Sequence, residues 1–509
     1  MKPSTELFKL IQSLSKSEKR FFKLSSSLQS GEKNYLKIFD FIEKQEDYDE
    51  EELKEYFKDE TFIKHLPSEK NHLYKLILKS LRSYYSDQSI NSLLKQEIKN
   101  IEILYKKALY KECEKFLKRA KKIAEEYEKF YYWFELISWE KKLLEEAFEA
   151  GKFDRDLDAL IEEESDVIDK LRNLAEYQVL YSKINYIFRS GGFTRNAEER
   201  KVVSDIANHH LIKGKNTALS SRAASICYYI KGLCAATSRE YTDSYKFFNR
   251  TKYILDHNPK IKKDLGKRYI FTLSHLLRCH MDENDFESAQ KCLDEISALK
   301  KDKNFKNIDF EVRLFTITCN EQLHLFNHMG QFEKAKDLVP EINAGVEKYG
   351  DKVNKEQQLL FSFNLAYTYF GLADYKTALS YINDVLNDNE QNLRQDIYSF
   401  SRLLNLIIHY ELGNLDFLEY VVKSTNRYLN KTERDHKIEN VFVKQVKQLA
   451  KAGDKENEQK ILEDMAAETR ELMKDYDERV ALEYVDIEAW LDAKLNNISF
   501  TEAVVAKLK

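Results

Sequence analysis

The sequence predicts an all-α fold, a solenoid of stacked helical hairpins, on three observations. A small-x-aromatic-x-x-small phrase recurs along the chain, best seen in Gly330-Gln331-Phe332-Glu333-Lys334-Ala335, Ala373-Asp374-Tyr375-Lys376-Thr377-Ala378 and Asn284-Asp285-Phe286-Glu287-Ser288-Ala289. Helix breakers are scarce, with 4 prolines and 13 glycines in 509 residues. That length also exceeds the roughly 250–300 residues at which a single core stops growing. A stack escapes the limit because each unit buries its face on its neighbours.

Residues 1–90 precede the repeats. Ser15-Lys16-Ser17-Glu18 is a capping box that opens a helix carrying Phe21, Phe22 and Leu24. Asp49 to Glu52 repeats the chemistry ahead of Leu53, Tyr56 and Phe57, and an amphipathic run from Ser68 carries Leu73, Leu76, Ile77, Leu81 and Tyr84. Four or five short helices follow, as a cap or a small separate domain.

Residues 91–470 carry the repeats. Tyr110, Phe153, Phe193, Tyr241, Phe286, Phe332, Tyr375 and Leu415 anchor successive phrases 40–48 residues apart. Two residues before the anchor stands Gly151, Gly191, Asn284, Gly330, Ala373 or Gly413, where the chain must reverse and Gly or Asn accepts a positive φ. The anchor then starts a return helix, and the small residue three later admits close helix approach. Apolar residues seven and ten beyond the anchor (Leu293 and Ile296, Val339 and Ile342, Ile382 and Val385) continue one buried stripe. Phe153 and Phe193 have polar Asp156 and Asn196 at the small position, and Leu415 replaces the aromatic.

Residues 471–509 close the stack. Gly453 falls where the next turn belongs, but Lys455 replaces the aromatic, as expected of a terminal repeat. A last amphipathic helix carries Val480, Tyr484, Ile487 and Leu491, and Ser499 with Glu502 forms one more capping box.

These phrases resemble the tetratricopeptide family of helix–turn–helix repeats, most closely over Leu365 to Ala378. The resemblance covers roughly residues 95–470. It departs from the family in a period longer than the usual ~34 residues and in lacking a proline after each second helix; a HEAT-like reading fits the period but not the phrase. The resemblance implies a right-handed superhelix whose first helices line a concave groove. It also implies ligand contacts about 12, 8, 5 and 4 residues before each anchor. On this chain those positions include Tyr181, Asn185, Phe188 and Arg189, then Arg278, then Asn320, His324, Asn327 and His328, then Phe363, Tyr367 and Phe370, and finally Tyr410. The peptide-contacting set is Asn185, Arg189, Arg278, Asn320, His324, Asn327, Tyr367 and Tyr410. Asn offers a donor and an acceptor to an extended backbone, Arg forks onto a carboxylate, and aromatics offer pockets.

Charge is balanced, with 82 basic and 86 acidic residues, so no global attraction to nucleic acid or membrane exists. Residues 1–90 are balanced as well, and the cluster Lys16, Lys19, Arg20 and Lys23 reads as the wet side of an amphipathic helix. No apolar run of about 18 residues is present to span a membrane. The six cysteines have no C-x-x-C spacing and read as buried thiols in a cytoplasmic protein. There is no phosphate loop, G-x-S-x-G elbow or H-E-x-x-H. Glu321, His324 and His328 share one helical face, as zinc ligands can, but read better as groove polar groups, so no metal and no cofactor is expected. The expected function is a non-catalytic scaffold or adaptor that binds a protein or peptide partner. The alternative is a transcriptional regulator, resembling bacterial regulators with a DNA-binding head and a peptide-sensing repeat body.

Overall fold

The computed structural model describes residues 5–27, 34–86, 89–149, 157–194, 196–388, 394–432, 437–475, 478–479, 481 and 484–508. Gly151, Phe153, Asp156 and Val480 lie outside them. Among the described residues every regular element is a helix, and the protein is an all-α stack of helical hairpins. The chain divides into two compact units, Met1–Glu164 and Ser165–Lys509.

In the first unit, Glu6–Ser13, Lys16–Ser27, Asn34–Ile42, Glu50–Tyr56 and Leu66–Tyr84 enclose a core running from Leu7 to Ile77. The two capping expectations hold there. Ser15 Oγ accepts from Glu18 N at 3.3 Å while Glu18 Oε2 accepts from Ser15 N at 2.6 Å, and Asp49 Oδ1 accepts from Glu51 N and Glu52 N. The fifth of these helices begins at Leu66 rather than Ser68, with Pro67 in its first turn, where its missing N–H costs nothing. Ile90–Lys106, Tyr110–Glu126 and Phe130–Glu149 then pack around Leu94, Ile101, Leu117 and Leu136.

In the second unit the anchors act as read. Return helices begin at Tyr241, Phe286, Phe332, Tyr375 and Leu415, as one begins at Tyr110 in the first unit. The residue two before each anchor is left-handed, including Ala108, Arg239 and Ala373 as well as Asn284, Gly330 and Gly413. A tight C-cap explains why. The residue before the anchor donates its N–H five residues back, as Asp285 does to His280 O (2.8 Å), Gln331 to Phe326 O (2.8 Å) and Asp374 to Tyr369 O (3.0 Å). That bond forces the intervening residue to a positive φ, so Arg and Ala also take it. Asp285 and Asp374 then cap the return helix by accepting from Ser288 N and Thr377 N.

Two departures follow from local sequence. At the Phe193 phrase the left-handed residue is Gly192, not Gly191, and the next helix waits until Ala197, capped by Asn196. Pro340 splits the Phe332 return helix into Phe332–Lys336 and Val339–Tyr349, since it cannot donate within a helix.

The small residues Ala289, Ala335 and Ala378 are wholly buried. Glycines do the same work from the first helices: a Cβ on Gly371 would sit 2.4–2.5 Å from three atoms of the Phe332 ring. One apolar core joins Phe332, Phe370 and Phe400 to Trp490, Leu491, Phe500 and Val504 near the C-terminus. The Ile487–Asn496 and Phe500–Lys507 helices that supply the last four are joined through left-handed Asn497, and Ser499 and Glu502 form the expected capping box.

Candidate functional site

First helices of successive hairpins in the second unit turn residues toward one cavity of about 350 Å³. Phe188 comes from Leu157–Gly191, Arg278 from Gly266–Asp282, Asn320, His324 and Asn327 from Ile308–His328, Phe363 and Tyr367 from Lys355–Gly371, and Ile397 from Gln395–Glu411. Helical spacing accounts for the selection. Residues 320, 324 and 327 stand one turn apart on a single face, as do 363 and 367.

Five of the eight sequence-selected residues, Arg278, Asn320, His324, Asn327 and Tyr367, therefore line one space. The other three do not. Asn185 accepts a hydrogen bond from Tyr181 (3.3 Å) on its own helix. Arg189 forms an ion pair with Glu356, and Tyr410 donates to Glu458.

Arg278 and Glu321 form the charged centre of the wall. Glu321 is 4% exposed and accepts from Ser274 Oγ (2.5 Å), Arg278 Nη2 (2.9 Å) and Arg278 Nε (3.2 Å). Burial alone pushes the Glu321 carboxyl up, but the Arg278 charge and hydrogen bonds outweigh it and hold the group below its ordinary range. Glu321 is thus engaged by a cation and a hydroxyl rather than left open beside the two histidines, and no group of three metal-ligating side chains occurs among the described residues. Arg278 keeps 44% of its side chain exposed, and its Nη1 has no protein partner among the described residues. It is the most exposed cation that the first helices supply to the wall.

The asparagines also join neighbouring hairpins. Asn320 Nδ2 donates to Gln357 Oε1 (3.0 Å) and its Oδ1 accepts from Asn364 (3.3 Å). Asn327 Nδ2 donates to Asn364 O (3.0 Å) and its Oδ1 accepts from Thr368 (2.9 Å). Both are buried, and each keeps a second N–H.

His275, on the Gly266–Asp282 helix, lies deeper. Its ring stacks on Phe248 at 4.4 Å and its Nε2 is 3.1 Å from the Tyr229 hydroxyl. Burial, with Arg278 adding to it, drives its pKa down to about 3, so it is a neutral packing group. His328 is likewise held below the usual imidazole range by burial.

Residues the sequence did not disclose include five from the chain's far end: Tyr484, Asp486, Val504, Lys507 and Leu508 all line the cavity. Tyr484 stacks on Phe400 (4.4 Å, 11°) and donates to Asp396 (2.7 Å), which also receives Arg394 (2.5 Å). Repeat spacing gives no signal for these contacts, because residues 484 and 396 are joined by tertiary packing alone.

In the first unit the basic cluster of the Lys16–Ser27 helix is partly neutralised. Lys19 pairs with Glu43 (3.3 Å), and Lys23 pairs with Asp40 and Glu43 (both 2.8 Å). Among the described residues no helix is long and apolar enough to cross a membrane.

No family model matches the chain, and no curated protein sequence matches it. Among solved structures, the crystal structure of a Rap protein complexed with competence and sporulation factor aligns at 12% identity, covering 76% of this chain and 99% of its own, with a TM-score of 0.40.

Proposed function

We propose that the cavity of the second unit is a non-catalytic recognition site for a short protein or peptide segment. The observation that carries this reading is convergence: successive first helices supply apolar walls (Phe188, Phe363, Ile397), one accessible cation (Arg278) and amide groups with donors to spare (Asn320, Asn327) to the same space. An extended peptide offers matching features, with side chains for the walls, backbone carbonyls for the amides and a carboxylate for the guanidinium. The one thiol among the described residues of the wall, Cys279, has its pKa pushed by burial up to about 12, which works against its use as a nucleophile.

In this reading residues 1–90 are a helical head, 91–470 the repeat body and 471–509 the closing segment. Support for the head is its closed core from Leu7 to Ile77. A regulator that bound DNA through the head would need an exposed basic helix, and the pairing of Lys19 and Lys23 with Glu43 and Asp40 works against that use.

Display selection of random peptides on the full chain tests the proposal. Enriched peptides should lose binding to an Arg278→Gln/His324→Leu/Tyr367→Phe variant that retains its helical circular dichroism. Peptides that bind the variant equally well, or no enrichment at all, would refute it.

A further inference from the structure

We infer that residues 484–508 are an intramolecular ligand of this cavity, and that its external ligand is an amphipathic peptide that exchanges with the Phe500–Lys507 helix. The inference rests on the peptide-binding reading and adds what closes one side of the site at rest.

The seat is specific. Four positions of the Lys355–Gly371 helix, two in the cavity wall (Phe363, Tyr367) and two just beyond it (Phe370, Gly371), are each met by the C-terminal segment. Phe363 packs on Tyr484 (6.1 Å between centroids). Tyr367 accepts from Asp486 N (3.3 Å) through its hydroxyl and meets Phe500 edge-on (6.0 Å). Phe370 meets the same Phe500 ring (4.9 Å), and Gly371 O accepts from Thr501 Oγ1 (3.1 Å). Neighbouring helices are covered the same way. Tyr410 is met by Trp490 (5.8 Å), while Val504 and Lys507 reach into the cavity itself. Two of the residues selected in sequence for ligand contact, Tyr367 and Tyr410, are therefore already in contact with the chain's own end.

The attachment is graded along the segment. Both helices bury apolar residues in the core, but Trp490 donates to Glu411 (2.7 Å) and Lys494 pairs with it (2.6 Å), so the Ile487–Asn496 helix is also pinned to a buried charge, whereas the Phe500–Lys507 helix adds the Thr501 hydroxyl bond to Gly371 O. The Phe500–Lys507 helix has 8 residues, too few to persist without its seat. Its one cation, Lys507, pairs with Asp486 (2.7 Å) and Glu488 (3.1 Å) inside the same segment, not with a repeat. Left-handed Asn497 separates the two helices and supplies a hinge. The last helix can thus lift while the preceding one stays. A ligand that replaces it carries an aromatic residue, an aliphatic one four later and a lysine seven later, after Phe500, Val504 and Lys507.

A tethered ligand acts at an effective concentration in the millimolar range, so an outside peptide binds weakly until the tether is loosened. The experiment uses the full chain and a fluorescein-labelled synthetic peptide of residues 498–509. Wild type should bind the probe at least about tenfold more weakly than a Phe500→Ala/Val504→Asp variant. Hydrogen exchange on wild type, which needs no variant to fold, should show the 500–507 amides opening ahead of those of 487–496. The inference is overturned if the folded variant binds the probe no better than wild type, or if 500–507 exchange only together with the Gln395–Glu411 helix. Peptides from display selection separate the two ideas: sensitivity to the Arg278/His324/Tyr367 substitutions with equal binding to wild type and the loosened variant keeps the binding site and removes the tethered ligand.

Discussion

Removing the cation from the Arg278–Glu321 pair should cost far more than removing the pair. In Arg278→Met the aliphatic stem remains, but Glu321, 4% exposed, keeps only the Ser274 hydroxyl as a donor. Stranding one partner of a buried pair costs about 3–5 kcal/mol. Arg278 is 44% exposed, so water in the cavity already screens the pair, and about 2–3 kcal/mol is the appropriate expectation. Glu321→Leu strands the exposed partner instead, which water can solvate, and should cost about 1–2 kcal/mol. The double variant Arg278→Met/Glu321→Leu leaves neither charge and should lie within about 1 kcal/mol of wild type, a coupling of roughly 2 kcal/mol or more. Urea unfolding followed by circular dichroism reads all four proteins, with the m-value checking that the transition stays cooperative. Additive single effects, or an Arg278→Met variant as stable as wild type, would refute the claim that Glu321 depends on Arg278.

Three further outcomes are expected. Gly371→Ala should destabilise by about 1–3 kcal/mol, because the ~1 kcal/mol gained in helix propensity is outweighed by forcing the Phe332 ring, 2% exposed, away from a Cβ at 2.4 Å; an unchanged or raised Tm would contradict this. His275 is depressed, so its contribution is complete above its unfolded pKa of ~6.5 and falls by about 1.4 kcal/mol per pH unit below it, continuing towards about 3; between pH 7 and 5 the His275→Phe/Tyr229→Phe variant should show a stability slope shallower by that amount, and an identical slope would refute it. Native alkylation should reach Cys292 first, since it alone of the six cysteines is not fully buried, and the pKa of Cys234, Cys279 and Cys319 is pushed up to about 12; labelling of Cys279 as fast as a free thiol would show that the wall opens readily.

The hairpin ends were legible because they are local. A left-handed C′ residue, an Asp cap and an aromatic first residue lie within three positions, so Asn284-Asp285-Phe286 and Ala373-Asp374-Tyr375 specify the turn and the next helix start together. Arg239 and Ala108 adopt the same backbone without a glycine, which is why weaker phrases at Tyr241 and Tyr110 still mark true turns. The left-handed turn at Glu128 before Phe130 was missed, because no small residue follows at the expected place to complete the phrase.

The cavity was legible only where hairpins are alike. Counting back from an anchor places residues on the inner face if the first helix ends at a fixed distance from it. Helices Gly266–Asp282, Ile308–His328 and Lys355–Gly371 all stop four residues before theirs, and these three supplied all five members of the peptide-contacting set that line the cavity. On the 35-residue Leu157–Gly191 helix the count holds for Phe188 but not for Asn185, bonded to Tyr181 on its own helix, or for Arg189, drawn to Glu356. It fails for Tyr410 for a different reason. The helix register there is regular, but Trp490 packs on its ring. Spacing can show which residues face inward, but not whether a later part of the same chain already lies against them. Phe500, Val504 and Lys507 carry an ordinary amphipathic pattern, and only the docking of Phe500 on Phe370 and of Thr501 at Gly371, with Val504 and Lys507 in the cavity wall, gives that pattern a meaning for binding.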